Sequence, residues 1–230
     1  MVGQAIAVAL IALIGATHAG AVTLDDVSPG SVYTVGTIRV RGNATVSTRA
    51  IRDVMLTRAP LWYRPWLRKP TFNPGLFRTD LERIRMLLRE SGFYQAEVGH
   101  DLGVRGDTLA IVIRVDEGQA SRVADVTIAA ADFTPAPDEE AGQRAQLTLE
   151  SGRVFTQGAY DQSHVRLARF HLERGFAYAT VEKAAAVDTA EHLVRVTYTV
   201  RRGPQAVFGA TTVSGLADVA FPCIVKPATG

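Results

Sequence analysis

Residues 90–98 read ESGFYQAEV and residues 173–181 read ERGFAYATV, one glycine–aromatic–alanine–valine phrase used twice, 83 positions apart. The residues before the first copy explain its glycine. Asn73-Pro74-Gly75 opens a helix predicted to run to about Ser91, with Phe77, Leu81, Ile84 and Leu88 on one apolar stripe and Arg78, Glu82, Arg85 and Arg89 outside it. Gly92 follows where a helix needs a left-handed C-terminal residue, a conformation glycine takes without steric cost. Phe93 then supplies the apolar residue that folds back over the last turn. Downstream, YQAEVGH reads as a strand, DLGVRGD as a turn region and TLAIVIRVDEG as a second strand, with Leu109, Ile111, Ile113 and Val115 on one face.

Upstream, YTVGTIRVRGN (33–43) alternates as a strand and closes on a Gly-Asn turn signal. Thr45 or Ser47 caps a short helix through Thr57, with Ile51, Val54 and Met55 facing inward. The unit is therefore β-α-α-β-β over 33–117. The order returns over 118–203: strand 121–130, a weaker short helix within 137–152, a long helix 155–175 ending in glycine, and a hairpin of FAYATVEKAAAV and HLVRVTYTVRRG. At the fixed offset of 83, Phe72/Phe155, Gly75/Gly158, Arg83/Arg166, Glu90/Glu173, Gly92/Gly175, Phe93/Phe176, Ala96/Ala179 and Val98/Val181 coincide without a gap, which marks an internal repeat. AVFGATTVSG (206–215) mirrors the opening strand, so 204–230 is expected to begin a third unit that is truncated here. The fold class is α+β: tandem units, each a small three-stranded sheet covered by two helices.

Ahead of the units, residues 1–24 hold no Lys, Arg, Asp, Glu or Pro, and Ala5–Gly15 is an apolar run of 11 residues. As helix it spans about 16 Å, too short for a hydrocarbon layer of about 30 Å but suited to a secretory signal, with Ala19-Gly20-Ala21 as cleavage site. The expected signal peptide is 1–21 and the turn-rich, acidic stretch 22–32 a linker. Lys plus Arg number 25 against 23 Asp plus Glu, a balance giving no global case for a polyanion binder. The one cysteine, Cys223, permits no intramolecular disulfide and no cysteine-based metal site, and no role falls to it.

Two tandem β-α-α-β-β units behind a signal-like leader resemble the POTRA domains of the BamA/TamA outer-membrane assembly family. The residues that carry the likeness are Phe72, Asp80, Arg83, Gly92, Phe93, Tyr94, Ala96, Val98, Val115, Glu117 and Gly118, then Phe155, Arg166, Gly175, Phe176, Ala179, Val181, Val200 and Gly203. The second unit departs from the pattern at Ala177, where an aromatic is usual, and at Arg202, where an acid is usual. The resemblance implies a periplasmic, non-enzymatic array. It would bind unfolded outer-membrane or exported proteins and envelope assembly partners, and reach the membrane through a C-terminal barrel outside this sequence. A two-partner secretion transporter is a related alternative. A KH-type nucleic-acid module also begins β-α-α-β-β, but neither 58–73 nor 149–157 holds its G-x-x-G loop, and no nucleic acid is expected.

No catalytic, cofactor or metal motif appears; His164 and His171, seven apart on one helix, make a poor metal site alone. Two candidate sites remain. The first is backbone: by the family resemblance, the first hairpin strand of each unit leaves one edge free to take an extended peptide by strand addition. That assigns Tyr94, Gln95, Ala96, Glu97 and Val98 in one unit and Tyr178, Ala179, Thr180 and Val181 in the other. The second is RAPLWYRPWLRKP (58–70), where Trp62, Tyr63 and Trp66 interleave with Arg64, Arg68 and Lys69. That mixture suits either a small satellite core or a contact with a partner or membrane surface.

Overall fold

The computed structural model describes residues 21–22, 32–60, 69–207 and 209. The expected signal segment up to Gly20, the aromatic residues Trp62, Tyr63 and Trp66 with Arg64 and Arg68, and most of 204–230 including Cys223 lie outside the described residues; Lys69 is described and exposed. The elements are β1 (Ala21–Val22), β2 (Thr34–Arg41), α1 (Thr48–Val54), α2 (Pro74–Glu90), β3 (Glu97–Arg105), β4 (Thr108–Asp116), β5 (Arg122–Ala130), α3 (Pro137–Arg144), α4 (Gln157–Leu172), β6 (Thr180–Asp188) and β7 (Leu193–Arg201). Two sheets result, ordered β1-β3-β4-β2 and β5-β7-β6. In each, the last strand lies in the middle, parallel to the first strand of the unit and antiparallel to its hairpin partner.

The stripe read from the sequence is the core. Phe77, Leu81, Ile84 and Leu88 of α2 bury against Leu109, Ile111, Ile113 and Val115 of β4, and Ile51 and Met55 close the end. In the second unit Tyr160 and Leu167 of α4 meet Val194, Val196, Tyr198 and Val200 of β7. The Tyr198 hydroxyl donates to the Tyr160 carbonyl at 2.9 Å, and burial holds its pKa well above the usual phenol value. Ser47, Asn73 and Thr156 cap α1, α2 and α4 by accepting from the third residue on.

The short helix read within 137–152 is α3, which ends at Arg144 as Gln146 and Leu147 turn away on single-turn bonds to Gln143 and Arg144. Other boundaries differ from the sequence reading: α1 stops at Val54 rather than Thr57. DLGVRGD is mostly strand rather than turn. β3 continues to Arg105, and the chain reverses at Gly106-Asp107, where Gly106 has φ +61°. Glycine and Asp at 103 and 101 are weak strand formers, but the register set by β4 carries them.

A polar residue on each long helix ties down the loop after the short one. Asp80, fully buried, accepts from the Leu56 and Thr57 amides at 2.6 and 2.8 Å. Ser163, its counterpart 83 residues on, accepts from the Thr148 amide at 2.9 Å.

Candidate functional site

The repeated glycine does more than end a helix. Gly92 has φ +95°, and a Cβ there would sit 2.4 Å from the Phe155 carbonyl oxygen. That close approach lets the Gly92 carbonyl accept from the Ser121 amide at 2.9 Å, while the Ser121 carbonyl accepts from Phe155 at 2.9 Å. Tyr94, two residues on, packs into the core of the second unit with its ring 6.3 Å from that of Phe155, and burial raises its pKa. Gln95 Nε2 donates to the Thr189 carbonyl at 3.1 Å. The phrase ESGFYQAEV is therefore the joint between the units. The second copy repeats it: Gly175 has φ +88°, and its carbonyl accepts from the Ala206 amide at 2.7 Å. Ala177, at the place of Tyr94, is exposed.

This joint displaces the candidate docking residues. Tyr94, Gln95 and Ala96 are not strand; they form the turn that leaves the joint, with the Ala96 amide donating to Phe93 at 3.4 Å, and only Glu97 and Val98 begin β3. Tyr178 and Ala179 likewise precede β6, which begins at Thr180 and Val181. A helix that stops on a left-handed glycine needs these residues to turn before the chain can extend.

Helix side chains also occupy the first carbonyl of each edge. The Arg85 guanidinium donates to the Val98 carbonyl at 3.1 Å, and His164 Nε2 lies 2.7 Å from the Val181 carbonyl, to which an N–H there donates. These carbonyls point away from the partner strand. By the alternation of an antiparallel pair, the backbone groups of His100, Leu102 and Val104, and of Lys183, Ala185 and Val187, face the outer side too. On β3 that side already holds a strand: β1 pairs antiparallel, Ala21 with Gly103 and Val22 with Leu102. Among the described residues β6 pairs with β7 alone, and Ala184, Ala185 and Ala186 are exposed.

The solvent face of the first sheet is hollowed beside this edge. Gly36, Thr37, Gly103, Ala110 and Val112 floor a trough of about 480 Å³, and the exposed cations Arg39, Lys69 and Arg105 wall it. Gly36, Gly103 and Ala110 add little or no side-chain bulk to it. Asp101, farther along β3, is neutralised by Arg114 at 2.9 Å, and Glu97 is exposed at the far end.

The two histidines of α4 do not meet. His164 is engaged with β6, whereas His171 is fully buried among Phe133, Phe170 and Phe176 with no protein partner for either ring nitrogen. Among the described residues no cluster of His, Cys, Asp or Glu could hold a metal ion.

The model of the POTRA family, described as a surface antigen variable number repeat, matches residues 33–118. A Treponema pallidum (strain Nichols) protein named as an outer membrane protein assembly factor is 21% identical over 150 residues, covering 63% of this chain but 18% of that protein. Among solved structures, Haemophilus influenzae BamA POTRA3-5 has TM-score 0.44 at 21% identity, covering 78% of this chain and 70% of its own. POTRA1-2 of the Anabaena Omp85 periplasmic domain has TM-score 0.39 at 17% identity, covering 76% of this chain and 98% of its own. Residues 33–118, with their β-α-α-β-β order and central last strand, are the part of the chain that the POTRA family model matches.

Proposed function

We propose that this chain is the periplasmic POTRA array of an outer-membrane protein assembly or translocation factor, working as a non-enzymatic receptor for extended polypeptide. Its two docking edges are the outer sides of β3 and β6. What carries the reading is the pairing of β1 with β3: a second extended segment sits antiparallel on that edge, in register with Leu102 and Gly103. Main-chain hydrogen bonds of this kind read few side chains, which suits a receptor that takes clients of many sequences. The curated relative's name and the family of residues 33–118 support the same role.

Both units are taken as POTRA domains, bounded near 33–117 and 118–203. The bond from Ala206 to Gly175 supports a third domain docked by the same joint as the second. Export would process the leader after Ala21. Cleavage there removes one of the two residues of β1 and leaves the β3 edge with a single paired residue, open to a client. N-terminal sequencing of protein recovered from the envelope should begin at Val22.

The docking test uses proline and backbone methylation. Ala185 is exposed on β6, and proline at an edge position whose N–H faces outward leaves the inner ladder intact. Ala185→Pro should retain the circular dichroism of the parent and lose binding of an extended, unfolded peptide to β6. Val104→Pro should do the same on β3. A peptide N-methylated at alternate residues should fail on both edges. Equal binding of methylated and unmethylated peptide would overturn the reading.

A further inference from the structure

The last turns of the two long helices differ at one buried side chain. Leu88 of α2 and His171 of α4 stand 83 residues apart, and both are fully buried. Each gives its carbonyl to the phenylalanine that follows the joint glycine: Leu88 accepts from the Phe93 amide at 2.9 Å, and His171 from the Phe176 amide at 3.2 Å. A leucine therefore suffices at this place, yet the second unit puts a titratable ring there. The second joint lies directly beyond it. The Gly175 carbonyl accepts from the Ala206 amide at 2.7 Å, and the Arg174 carbonyl from Gln205 Nε2 at 3.3 Å.

The surroundings of this ring favour its neutral form. The rings of Phe133, Phe170 and Phe176 meet it edge-on, with centroids at 5.7, 5.2 and 6.4 Å. Aromatic faces can hold a cation, but these three already do. Arg202, just past β7, lies 4.0 Å from the Phe133 centroid and 4.4 Å from that of Phe176, and Arg174, just past α4, lies 3.4 Å from that of Phe170. The charges opposing these guanidiniums are Glu139 on α3 and Asp132 in the loop after β5. Both are engaged: Glu139 accepts from Arg202 at 3.0 Å, and Asp132 from the Arg202 and Gly203 amides at 2.8 and 2.9 Å. Neither ring nitrogen of His171 has a partner among the described residues, and a proton on the ring would set three cations against two anions.

We propose that His171 makes the second joint a pH-responsive hinge: the joint is closed while the ring is neutral, and proton uptake drives the ring out of the phenylalanine cluster and releases the bond from Ala206 to Gly175. The ring acts on the joint through Phe176, which packs against it and is the residue next to Gly175. Burial lowers the pKa of the folded ring, so the closed state binds fewer protons than the open one. The closed joint is at full strength above the ordinary histidine value of about 6.5 and weakens as pH falls below it, by at most about ten-fold per pH unit. Asp132, held below its ordinary value by the Arg202 and Gly203 amides, does not titrate in that range. The first joint carries Leu88 in place of the histidine and stays closed.

Amide hydrogen exchange of the full chain, corrected for the intrinsic rate at each pH, reads the two joints separately. Between about pH 7.5 and about pH 5.5 the protection of Ala206 and Phe176 should fall about ten-fold. That of Ser121 and Phe93, the matching amides of the first joint, should stay level. His171→Leu, which installs the residue of the first unit, should make the second joint equally indifferent to pH over this range. His171→Gln, polar and without a titration in this window, serves if the leucine variant misfolds. Level protection at Ala206 and Phe176 in the parent chain would overturn the proposal. So would an equal loss at both joints, which marks general acid loosening, or a loss at the second joint that survives His171→Leu or His171→Gln.

Discussion

Glu117 and Asp132 solve one problem from opposite sides. In the first unit the carboxylate sits at the end of β4: Glu117 accepts from the amides of Ala44, Thr45 and Val46, so the loop before α1 is fixed by a side chain. In the second unit the corresponding end carries Arg202, and the carboxylate moves to the loop. Asp132 accepts from the Arg202 and Gly203 amides at 2.8 and 2.9 Å, while Arg202 itself reaches Glu139 at 3.0 Å. The departure of Arg202 from the family pattern is thus compensated locally. Burial alone would raise the Glu117 carboxyl, but the amides of Val46, Thr45 and Ala44 outweigh it, and the group ionises below its ordinary value. Its folded pKa is depressed, so its stabilisation is present above the unfolded value and is lost as pH falls through the folded one. Glu117→Ala should cost about 2–3 kcal/mol in urea denaturation at neutral pH, with the deficit shrinking in acid. His171 behaves in the same direction for a different reason. Burial lowers its pKa, Glu139 and Asp132 oppose that, and Arg202 and Arg174 reinforce it. The neutral ring is favoured in the fold, so its contribution is complete above the ordinary histidine value and erodes as pH drops through it. His171→Leu should flatten stability between about pH 5 and 7 and raise it by roughly 1 kcal/mol at pH 6, as two unpaired ring nitrogens are removed.

At the scale of elements, the long helices do three jobs with different faces. Their apolar stripes form the cores, their C-terminal glycines form the joints, and Asp80 or Ser163 anchors the loop after the short helix. Asp80 holds two amides and Ser163 one, so the two sites should differ in cost. Asp80→Ala should destabilise by about 3 kcal/mol and Ser163→Ala by about 1, measured by denaturant unfolding of each variant. The helices also decide where the strand edges are usable. With the Val98 and Val181 carbonyls already taken, and β1 seated at Leu102 and Gly103 of β3, the longer run of outward acceptors without a strand partner among the described residues lies on β6. Neither Arg85 nor His164 announces this in the sequence, where both read as ordinary polar residues beside an apolar stripe.

For the whole molecule, the two joints differ by one side chain. Tyr94, half-buried, packs against the second core; Ala177, its counterpart, is exposed, and Tyr178 beside it is 73% exposed. A joint made of a packed ring plus backbone bonds resists bending more than one made of backbone bonds alone. Tyr94→Ala should therefore cost about 2 kcal/mol and split a single unfolding transition into two, while small-angle scattering shows the units adopting a wider range of angles. A single sharp transition in that variant would mean that the backbone bonds at Gly92 suffice to hold the joint.

Periodicity made the architecture legible. The 3.6-residue stripe of α2, the alternation of β4 and β7, and the recurrence at 83 residues are properties of the chain itself, because burial of one face imposes them whatever the partners are. The hairpin strands were legible only in outline: Tyr94, Gln95 and Ala96 read as strand when they are turn. Their roles depend on Ser121, Phe155 and Thr189, and no local pattern records a contact with a residue so distant in sequence. The same holds for the trough, where Gly36, Gly103 and Ala110 come to line one hollow only through the pairing of β4 with β2 on one side and β3 on the other. The sequence by itself determined the repeat, its cores and the glycine that ends each long helix. Only the tertiary structure decided that this glycine is a joint and which part of each edge stays open, since both follow from hydrogen bonds between residues that the chain brings together late.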